Sequence, residues 1–455
     1  MSQAFSETHN VRMVVAVEKT RCVPLRYSTA INAHGATNTA SVTVPMSSNP
    51  DFSVLLSKGV KGNVPTFTSL TNLPTSSLQK LAGTSSIGPG AIVPISIYAG
   101  YVENPTLGAV DTDGLSRRFV GIVDMYSAEV HGDLVTFNCR SAAAPLVDTK
   151  ITHISQNQTT TSFLAEQASR IGLQVQINTG KRNLATIQQV LGYDQVGGSN
   201  FTASLYGMRI WDLLLRCAQF DDVDLWEENG VLHYEAPGLI QRKGIGLAWL
   251  RDWETLTLSH SLVFNKGIQV DVHSHSPRSA TTTSARVTVD ADGTVTIGTP
   301  KTVSTTSDSI LGTASSSRSS VSTNAQTGMT NITNSTGFSS GGNFNGVASA
   351  GAKESNVQKY TEYVRNQSPE RCNLLAQAYA RQISMHEYSI MGKVPMTKRL
   401  LGELSIEAEF TLSGLPYTRF NDKYWPRRFS ESNSPSDGWS IDFEAVNHSL
   451  GSQAV

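Results

Sequence analysis

The chain has 455 residues, a formal net charge of −1 at pH 7, 39% hydrophobic residues and 16% charged residues. Near-neutral charge argues against a protein that grips a phosphate backbone, because such proteins carry a strongly basic face. Charged residues are few, and Ser, Thr, Asn and Gly are abundant in their place, which favours β-rich domains with many turns. The length predicts about two to four domains.

Residues 1–155 are predicted to form one antiparallel β-domain. Residues 40–44 and 93–98 alternate apolar and polar side chains, as a strand with one buried face does. Residues 119–140 predict a hairpin, because two strand-like runs flank the turn at 131–133. Loops rich in Ser, Thr, Gly and Pro separate these strands.

Residues 156–245 are predicted to form a small α+β module. Apolar residues at helical spacing over 162–171 are followed by Gly172, which is placed to end that helix. A second helix is predicted near residues 209–220. The pair Asn229-Gly230 then stands between two strand-like runs, which is the strongest short-range signal for a hairpin.

A second β-domain is predicted from residues 246–277 and 357–455. Ser368 is placed to cap a helix, with proline at the first helical position and an acid in the first turn. Two alternating apolar sets predict strands that face a core, namely Leu404, Ile406, Ala408 and Phe410, and Trp439, Ile441, Phe443 and Ala445.

The segment 278–356 is predicted to be a Ser/Thr/Gly-rich insertion or extended arm. Of the 70 residues from 281 to 350, 30 are Ser or Thr. Such a composition buries too little apolar surface to order itself alone. One hairpin is predicted within the segment, with residues 285–289 and 294–297 on either side of the turn at 290–293.

The cysteine spacing, the N-terminus and the lengths of the apolar runs together predict the compartment in which the protein folds. No two of Cys22, Cys139, Cys217 and Cys372 are near enough in sequence for a local zinc knuckle or redox pair, so four buried thiols are expected. The polar N-terminus carries no signal peptide, and no apolar run approaches the ~18 residues of a membrane helix. We expect synthesis and folding in a cytoplasm.

Motifs for catalysis and metal binding are scarce. The sequence contains no phosphate-binding loop, dinucleotide fingerprint, nucleophile elbow or zinc-protease helix, so no enzyme and no cofactor is predicted. Residues 111–114 and 290–293 superficially resemble calcium loops. Their twelfth positions, Ile122 and Lys301, cannot supply the bidentate acid, so both are predicted to be turns.

Two histidines are weak metal candidates. His273 and His275 lie two apart on a predicted strand, so both imidazoles point to one face and could form half of a metal site. Nothing nearby in sequence clearly supplies a third ligand, and exposed strand histidines are common.

An acidic run and two tryptophans offer a weak glycosidase-like alternative. Asp221, Asp222, Asp224, Glu227 and Glu228 could hold a carboxylate pair, but a solvated helix end and hairpin rim is the favoured interpretation. Trp211 and Trp226 could stack on a sugar, although their apolar neighbours predict a core position.

Six segments, taken in order, resemble the baseplate hub family of contractile-tailed phages, often called the late control D family, to which the N-terminal modules of type VI secretion spike proteins are related. They are residues 119–140, 162–177, 209–237, 261–277, 366–390 and 423–448. In the family, residues 119–140 correspond to the hairpin that closes a first barrel, 162–177 to a helix, glycine and strand, and 209–237 to a second helix and hairpin. Residues 261–277 correspond to the strand that opens a second barrel, 366–390 to the helix that leads back into that barrel, and 423–448 to its last two strands. Ser141 and three alanines replace the family's usual acidic residue, and the insert at 278–356 departs in length.

The resemblance implies a mainly β fold with α+β parts, in which two β-barrel-like, tube-like hub domains flank a small α+β module. It implies a structural virion protein, a homotrimer that joins the six-fold tail tube to the three-fold spike. Expected partners are the tube or tail-terminal protein and the central spike, with wedge and tape-measure proteins as further candidates. DNA would be present only in transit, without a membrane anchor. The alternative is a receptor- or carbohydrate-binding tail protein, and a wall-degrading hydrolase is a third hypothesis.

Overall fold

The computed structural model describes residues 11–17, 20–33, 35–45, 93–102, 110–129, 131–151, 158–180, 182, 184–191, 207–240, 243–261, 267–276, 281–290, 294–304, 320–323, 330–333, 357–384 and 388–447. Across them the chain is mainly β with small α+β parts, which confirms the predicted fold class. Two compact units are present, a larger one of Met1–Asn265 and Leu374–Val455 and a smaller one of Lys266–Asn373.

The first seven strands of the larger unit, here called the N-terminal strand set, pair antiparallel throughout. They are β1 (Val11–Val17), β2 (Thr20–Cys22), β3 (Arg26–Asn32), β4 (Thr39–Pro45), β5 (Val93–Tyr101), β6 (Ser116–Glu129) and β7 (Leu134–Ser141). Strands β6 and β7 form the predicted hairpin, and Asp133 in its turn has a positive φ of 53°. The order β3-β4-β7-β6-β5-β1-β2 places this hairpin in the middle of the set.

The α+β part follows within the same unit. Its elements are α1 (Ala144–Asp148), α2 (Thr160–Ile171), β8 (Gln174–Asn178), α3 (Ile187–Val190), α4 (Ile210–Asp221), β9 (Asp224–Glu228) and β10 (Val231–Glu235). Thr159 caps α2 through its hydroxyl, and Gly172 ends it in the left-handed conformation, as predicted. Asn229 and Gly230 have φ values of 53° and 82°, so they form the expected tight turn between β9 and β10.

After β11 (Gly244–Ala248) and β12 (Thr255–His260), the chain enters the smaller unit. Its strands are β13 (Ile268–Ser276), β14 (Thr281–Val289), β15 (Val295–Ile297), β16 (Lys301–Ser304), β17 (Ser320–Thr323), β18 (Thr330–Thr333) and β19 (Gln358–Arg365). The predicted hairpin of β14 and β15 is confirmed, although turn residues 291–293 lie outside the described part of the chain. Strand β13, expected to open a second barrel, pairs instead with β14 and β19 in a sheet of this unit.

The last elements are α5 (Pro369–Ser384), β20 (Tyr388–Pro395), α6 (Lys398–Glu403), β21 (Glu409–Ser413), β22 (Lys423–Ser434) and β23 (Gly438–Asn447). The predicted start of α5 is confirmed, because the Ser368 hydroxyl accepts a hydrogen bond from the backbone N–H of Arg371 at 3.2 Å. Strands β22 and β23 form a long antiparallel hairpin. We call β11, β12 and β20–β23 the C-terminal strand set.

The two strand sets form one continuous sheet of 13 strands. The junction is an antiparallel pairing of β3 with β22, in which Tyr27 lies opposite Asn433 and Asn32 lies opposite Arg428. Buried side chains from both sets belong to one hydrophobic cluster. The division into domains at residues 155, 245, 277 and 356 stays a prediction, but its two β-domains meet edge to edge through this pairing.

One predicted strand is wrong in its extent. The alternating residues Leu404, Ile406, Ala408 and Phe410 are all buried, as the pattern indicated. Only Phe410 lies in a strand, because α6 ends at Glu403 and the backbone of residues 404–408 turns before β21 begins. Burial at every second position therefore arises here without strand geometry. On β23, by contrast, the alternating set from Trp439 to Ala445 is both buried and in a strand, as predicted.

The four cysteines are buried, as the sequence predicted. All four cysteines are free and buried, and burial raises the pKa of Cys372 to about 11. Among the helices in the described ranges, none is long and apolar enough to span a bilayer.

Candidate functional site

A buried ion pair lies where the two strand sets meet. Glu431 on β22 is fully buried, and its Oε2 atom accepts hydrogen bonds from Nη2 and Nε of Arg118 on β6 at 2.7 and 2.8 Å. Its Oε1 atom accepts from Nε1 of Trp439 at 2.9 Å and from the Tyr27 hydroxyl. One carboxylate therefore connects strands β3, β6, β22 and β23. We call these four side chains the Glu431 network.

Within this network, the pKa values of Tyr27 and Arg118 are both raised. Burial raises the pKa of Tyr27 well above its ordinary value, and the charge of Glu431 raises it further. Burial lowers the pKa of Arg118, but the charge of Glu431 and its hydrogen bond outweigh burial, so the net shift is upward. Arg118 thus stays charged and Tyr27 stays protonated, which makes the network a structural connection rather than a proton-transfer site.

The acidic run at the end of α4 and along β9 is buried or partly buried and is hydrogen-bonded, so the predicted solvated helix end is wrong. Asp221 is only 4% exposed. Its carboxylate accepts hydrogen bonds from the hydroxyls of Thr160 and Tyr234 and from the backbone N–H of Ala185. This carboxylate therefore holds α2, β10 and the segment before α3 against the end of α4.

The next two acids of the run contact arginines. Asp222 Oδ1 accepts from Nη2 of Arg381 at 2.8 Å, and Asp222 Oδ2 accepts from Nη1 of Arg182 at 2.6 Å. Asp224 lies 3.5 Å from Arg381, which is only 6% exposed. Burial lowers the pKa of Arg381, but the charges of Asp224 and Asp222 raise it by more. These carboxylates neutralise a buried cation, which a glycosidase acid–base pair does not do.

The β9–β10 hairpin contacts the N-terminal strand set and the segment between α6 and β21. The Asn38 amide, which precedes β4, donates to the backbone oxygen of Glu227 at 2.6 Å. Arg117 on β6 donates to the backbone oxygen of Asn229 at 2.9 Å. From the segment between α6 and β21, the Ser405 hydroxyl donates to Glu228 Oε2 at 3.1 Å. The hairpin is therefore held both by the N-terminal strand set and by the segment that leads into the C-terminal strand set.

The variant Glu227→Gln is expected to flatten the pH dependence of unfolding. Burial raises the pKa of Glu227 to about 7, although hydrogen bonds from Gly230, Ser141 and Asn38 oppose that shift. The folded state therefore keeps a proton that the unfolded state releases above about pH 4.3. The free energy of unfolding should fall by about 1–3 kcal/mol as pH rises from about 5 to about 8, and the variant should lack this term.

Urea denaturation across that pH range measures the effect. The exposed residue on β6 supplies a control, since Glu129→Gln should leave the pH profile unchanged. Parallel profiles for the wild type and Glu227→Gln would contradict the shift.

A second cluster combines a histidine with two carboxylates. His233 and Glu235 lie two apart on β10, so both side chains point to one face of the sheet. Nδ1 of His233 lies 2.9 Å from Oε1 of Glu235 and 3.4 Å from Oε1 of Glu407, which precedes β21. Trp226 stacks on the imidazole with ring centroids 4.6 Å apart. A cleft of about 340 Å³, lined in part by Glu407, Trp226 and Arg427, lies beside the cluster.

The fold is shared with proteins of known structure. No protein-family model and no curated protein sequence matches the chain. The 43 kDa tail protein of prophage MuSo2 from Shewanella oneidensis is similar in structure, with a TM-score of 0.54, 11% identity, and coverage of 97% of this chain and 99% of that one. The tail protein from Neisseria meningitidis MC58 has a TM-score of 0.51 and 9% identity, with 98% of each chain covered. The chain has a tail-protein fold. The resemblance expected from the sequence is confirmed at the level of fold.

The tail-protein fold leaves backbone edges and apolar side chains exposed. Within the described residues, the path of the large sheet ends at β12 on one side and at β2 on the other. Residues 124–129 of β6 are all exposed, including Met125 and Tyr126 at 58% and 46%. Unpaired strand edges and exposed apolar side chains are surfaces that a neighbouring subunit can cover.

The sequence-predicted metal histidines, His273 and His275, lie in the smaller unit. The His273 ring stacks on Tyr363 at 5.5 Å between centroids, and Nδ1 of the exposed His275 lies 3.2 Å from the Thr282 hydroxyl. The metal-ligand cluster found among the described residues does not include them. Their metal binding stays a prediction.

Other sequence-predicted residues have ordinary structural places. Asp111, in one calcium-like turn, pairs with Arg12, whose hydrogen bond lowers the Asp111 pKa. The other calcium-like turn lies largely outside the described residues. Trp211 and Trp226 are both 3% exposed, which confirms the predicted core position.

Neither the Glu431 network nor the cluster of His233, Glu235 and Glu407 was predicted from the sequence. Arg118 and Tyr27 are 313 and 404 positions from Glu431, and no local pattern links them. For the second cluster, His233 and Glu235 lie two apart on a strand next to the predicted Asn229-Gly230 turn, and this spacing indicates that their side chains share one face. Glu407 lies in the segment 404–408, which was wrongly predicted to be a strand, and no pattern there indicates that it contacts His233.

Proposed function

We propose that this chain is a structural virion protein, a tail hub that forms a homotrimer between the six-fold tail tube and the three-fold spike. The observation that carries the proposal is the fold shared with the Shewanella prophage tail protein over nearly the whole of both chains. Full-length similarity favours a role for the whole chain over a role for one grafted domain.

The joined strand sets supply a physical reason for three-fold assembly. Each chain carries two β-strand sets fused by the β3–β22 pairing, so three chains carry six sets. In the proposed ring, three chains would offer one attachment surface per strand set, six in all, to a tube while keeping three-fold symmetry toward a spike. The sheet ends at β12 and β2 are edges that neighbouring chains would cover.

The partners follow from this position in a tail. They are the tail tube or tail-terminal protein, the central spike, and, as further candidates, wedge and tape-measure proteins. DNA would cross the lumen only in transit, and the net charge of −1 suits a channel that does not hold phosphate. Assembly would occur in the host cytoplasm, and the mature location would be the tail of the virion.

A structural role is favoured over an enzymatic or a sugar-binding one. Of the five carboxylates that suggested a glycosidase pair, Asp221, Asp222 and Asp224 are engaged with buried hydroxyls, Arg182 and Arg381. The burial of Trp211 and Trp226 removes the two rings that the sequence offered for stacking on a sugar. Receptor or carbohydrate binding remains the alternative, and a glycan array with the purified chain distinguishes it.

The assembly state tests the proposal. Light scattering on the purified full chain should give three times the chain mass, and electron microscopy should show a three-fold ring with a central hole that admits a DNA duplex. Co-expression with the tube protein should place the ring at one end of the tube. A monomer at all concentrations, or a ring of another symmetry, would overturn the trimeric hub.

A further inference from the structure

The His233 cluster has the dimensions of a metal-ion first shell. Zinc binds nitrogen and oxygen ligands at about 2.0–2.2 Å, so neighbouring ligand atoms lie about 3.0–3.5 Å apart. The Nδ1 atom of His233 is 2.9 Å from Glu235 and 3.4 Å from Glu407, and all three ligand atoms lie within 4.8 Å of one another. Three different side chains therefore present donor atoms to one point.

The donor set at this point suits a cation. Glu235 is 3% exposed and His233 is 9% exposed, so water would screen an ion bound there poorly. One oxygen of Glu235 and one of Glu407 lie near the same imidazole nitrogen. A divalent ion would take that nitrogen and one oxygen of each carboxylate as ligands, which are donor types that such ions bind.

The protein holds these ligands in place before any ion binds. His233 and Glu235 belong to β10, which is the central strand of its sheet, between β8 and β9. His233 lies directly opposite Trp226 on β9, and the two rings stack with an interplanar angle of 8°. Fixed backbone and ring orientation are what a metal site requires of its surroundings.

We propose that His233, Glu235 and Glu407 bind one divalent transition-metal ion, with zinc as the best-fitting ion. A mixed set of one imidazole and two carboxylates suits borderline cations such as Zn²⁺. The adjoining cleft gives the ion a path of entry and leaves room for water as a further ligand. Because Glu407 lies in the segment that leads into β21 and His233 lies in the α+β part, the bound ion would cross-link these two parts of the larger unit.

Zinc titration of the full chain tests the site. After chelator treatment and removal of the chelator, calorimetry with ZnCl₂ should show one ion per chain, and zinc should raise the melting temperature. Glu407→Gln, the most accessible ligand change, should weaken zinc binding by at least about tenfold. Glu403→Gln, at the end of α6, should bind zinc as the wild type does.

Cobalt supplies a readout that does not depend on stability. Co²⁺ bound to the full chain should give visible absorption bands, which zinc displaces and which Glu407→Gln and His233→Gln lack. The proposal is overturned if no ion binds to the chelator-treated chain. It is equally overturned if the ligand variants bind as tightly as the wild type, which would indicate an adventitious ion only. Neither result depends on whether the chain is a hub.

Discussion

Replacing Glu431 with Ala is expected to lower the free energy of unfolding by about 3–5 kcal/mol. The change leaves the buried guanidinium of Arg118 without a counter-charge, and it removes the acceptor for Tyr27 and Trp439. A buried charge without a partner costs far more than the ion pair contributes, so the effect should exceed that of an ordinary cavity. Chemical denaturation followed by tryptophan fluorescence measures it.

Two further variants separate charge from packing. Asp442→Ala, at an exposed position of the neighbouring β23, should change stability by less than about 0.5 kcal/mol. The double variant Arg118→Met, Glu431→Leu should recover only the part of the loss that comes from the unpaired charge, because Tyr27 and Trp439 still lack their acceptor. A loss below about 1 kcal/mol for Glu431→Ala would show that the network does not hold the junction.

Replacing Asp221 with Ala is expected to lower the free energy of unfolding by about 3 kcal/mol, because three donors lose their acceptor. The hydroxyls of Thr160 and Tyr234 and the N–H of Ala185 converge on this buried carboxylate. Burial raises the pKa of Tyr234, with the charge of Asp221 as the next cause, so the phenol remains a donor that needs a partner. Urea denaturation of the full chain gives the measurement.

The matched control for Asp221 lies on the same helix. Asp212→Ala, at an exposed position in the first turn of α4, should cost less than about 1 kcal/mol through the helix dipole alone. If both variants lose the same small amount, the Asp221 carboxylate does not connect α2, α4 and β10. If Asp221→Ala also frees the α+β part to unfold separately, the denaturation curve should show two steps.

Local chemistry made much of the fold predictable. Gly172, the Asn229-Gly230 pair and Ser368 each act within a few residues, and the structure places each where its turn or cap was expected. The alternation on β23 likewise reports one buried face of a strand. Between Leu404 and Ala408, however, alternating burial arises in a turning segment, since burial alone does not distinguish the two geometries.

Long-range pairing made the rest unpredictable. Nothing in the sequence near β3 indicates that its partner is β22. The sequence pattern therefore predicted two separate β-domains, whereas the structure joins their strands in one sheet. The acidic run read as solvated because its partner Arg381 lies 159 positions from Asp222. Charged side chains are seldom buried unless they are paired, and a single sequence does not show which distant residue is the partner.

The β3–β22 pairing also bears on how the chain leaves the ribosome. Tyr27 emerges 404 positions before Glu431, which amounts to about 20–80 s at about 5–20 residues per second. During that interval β3 has hydrogen-bonding groups waiting for a strand that has not been translated, and a strand of another nascent chain could occupy them instead. We therefore expect yield in the host to depend on elongation rate and chaperone supply more steeply than the stability of the finished sheet implies.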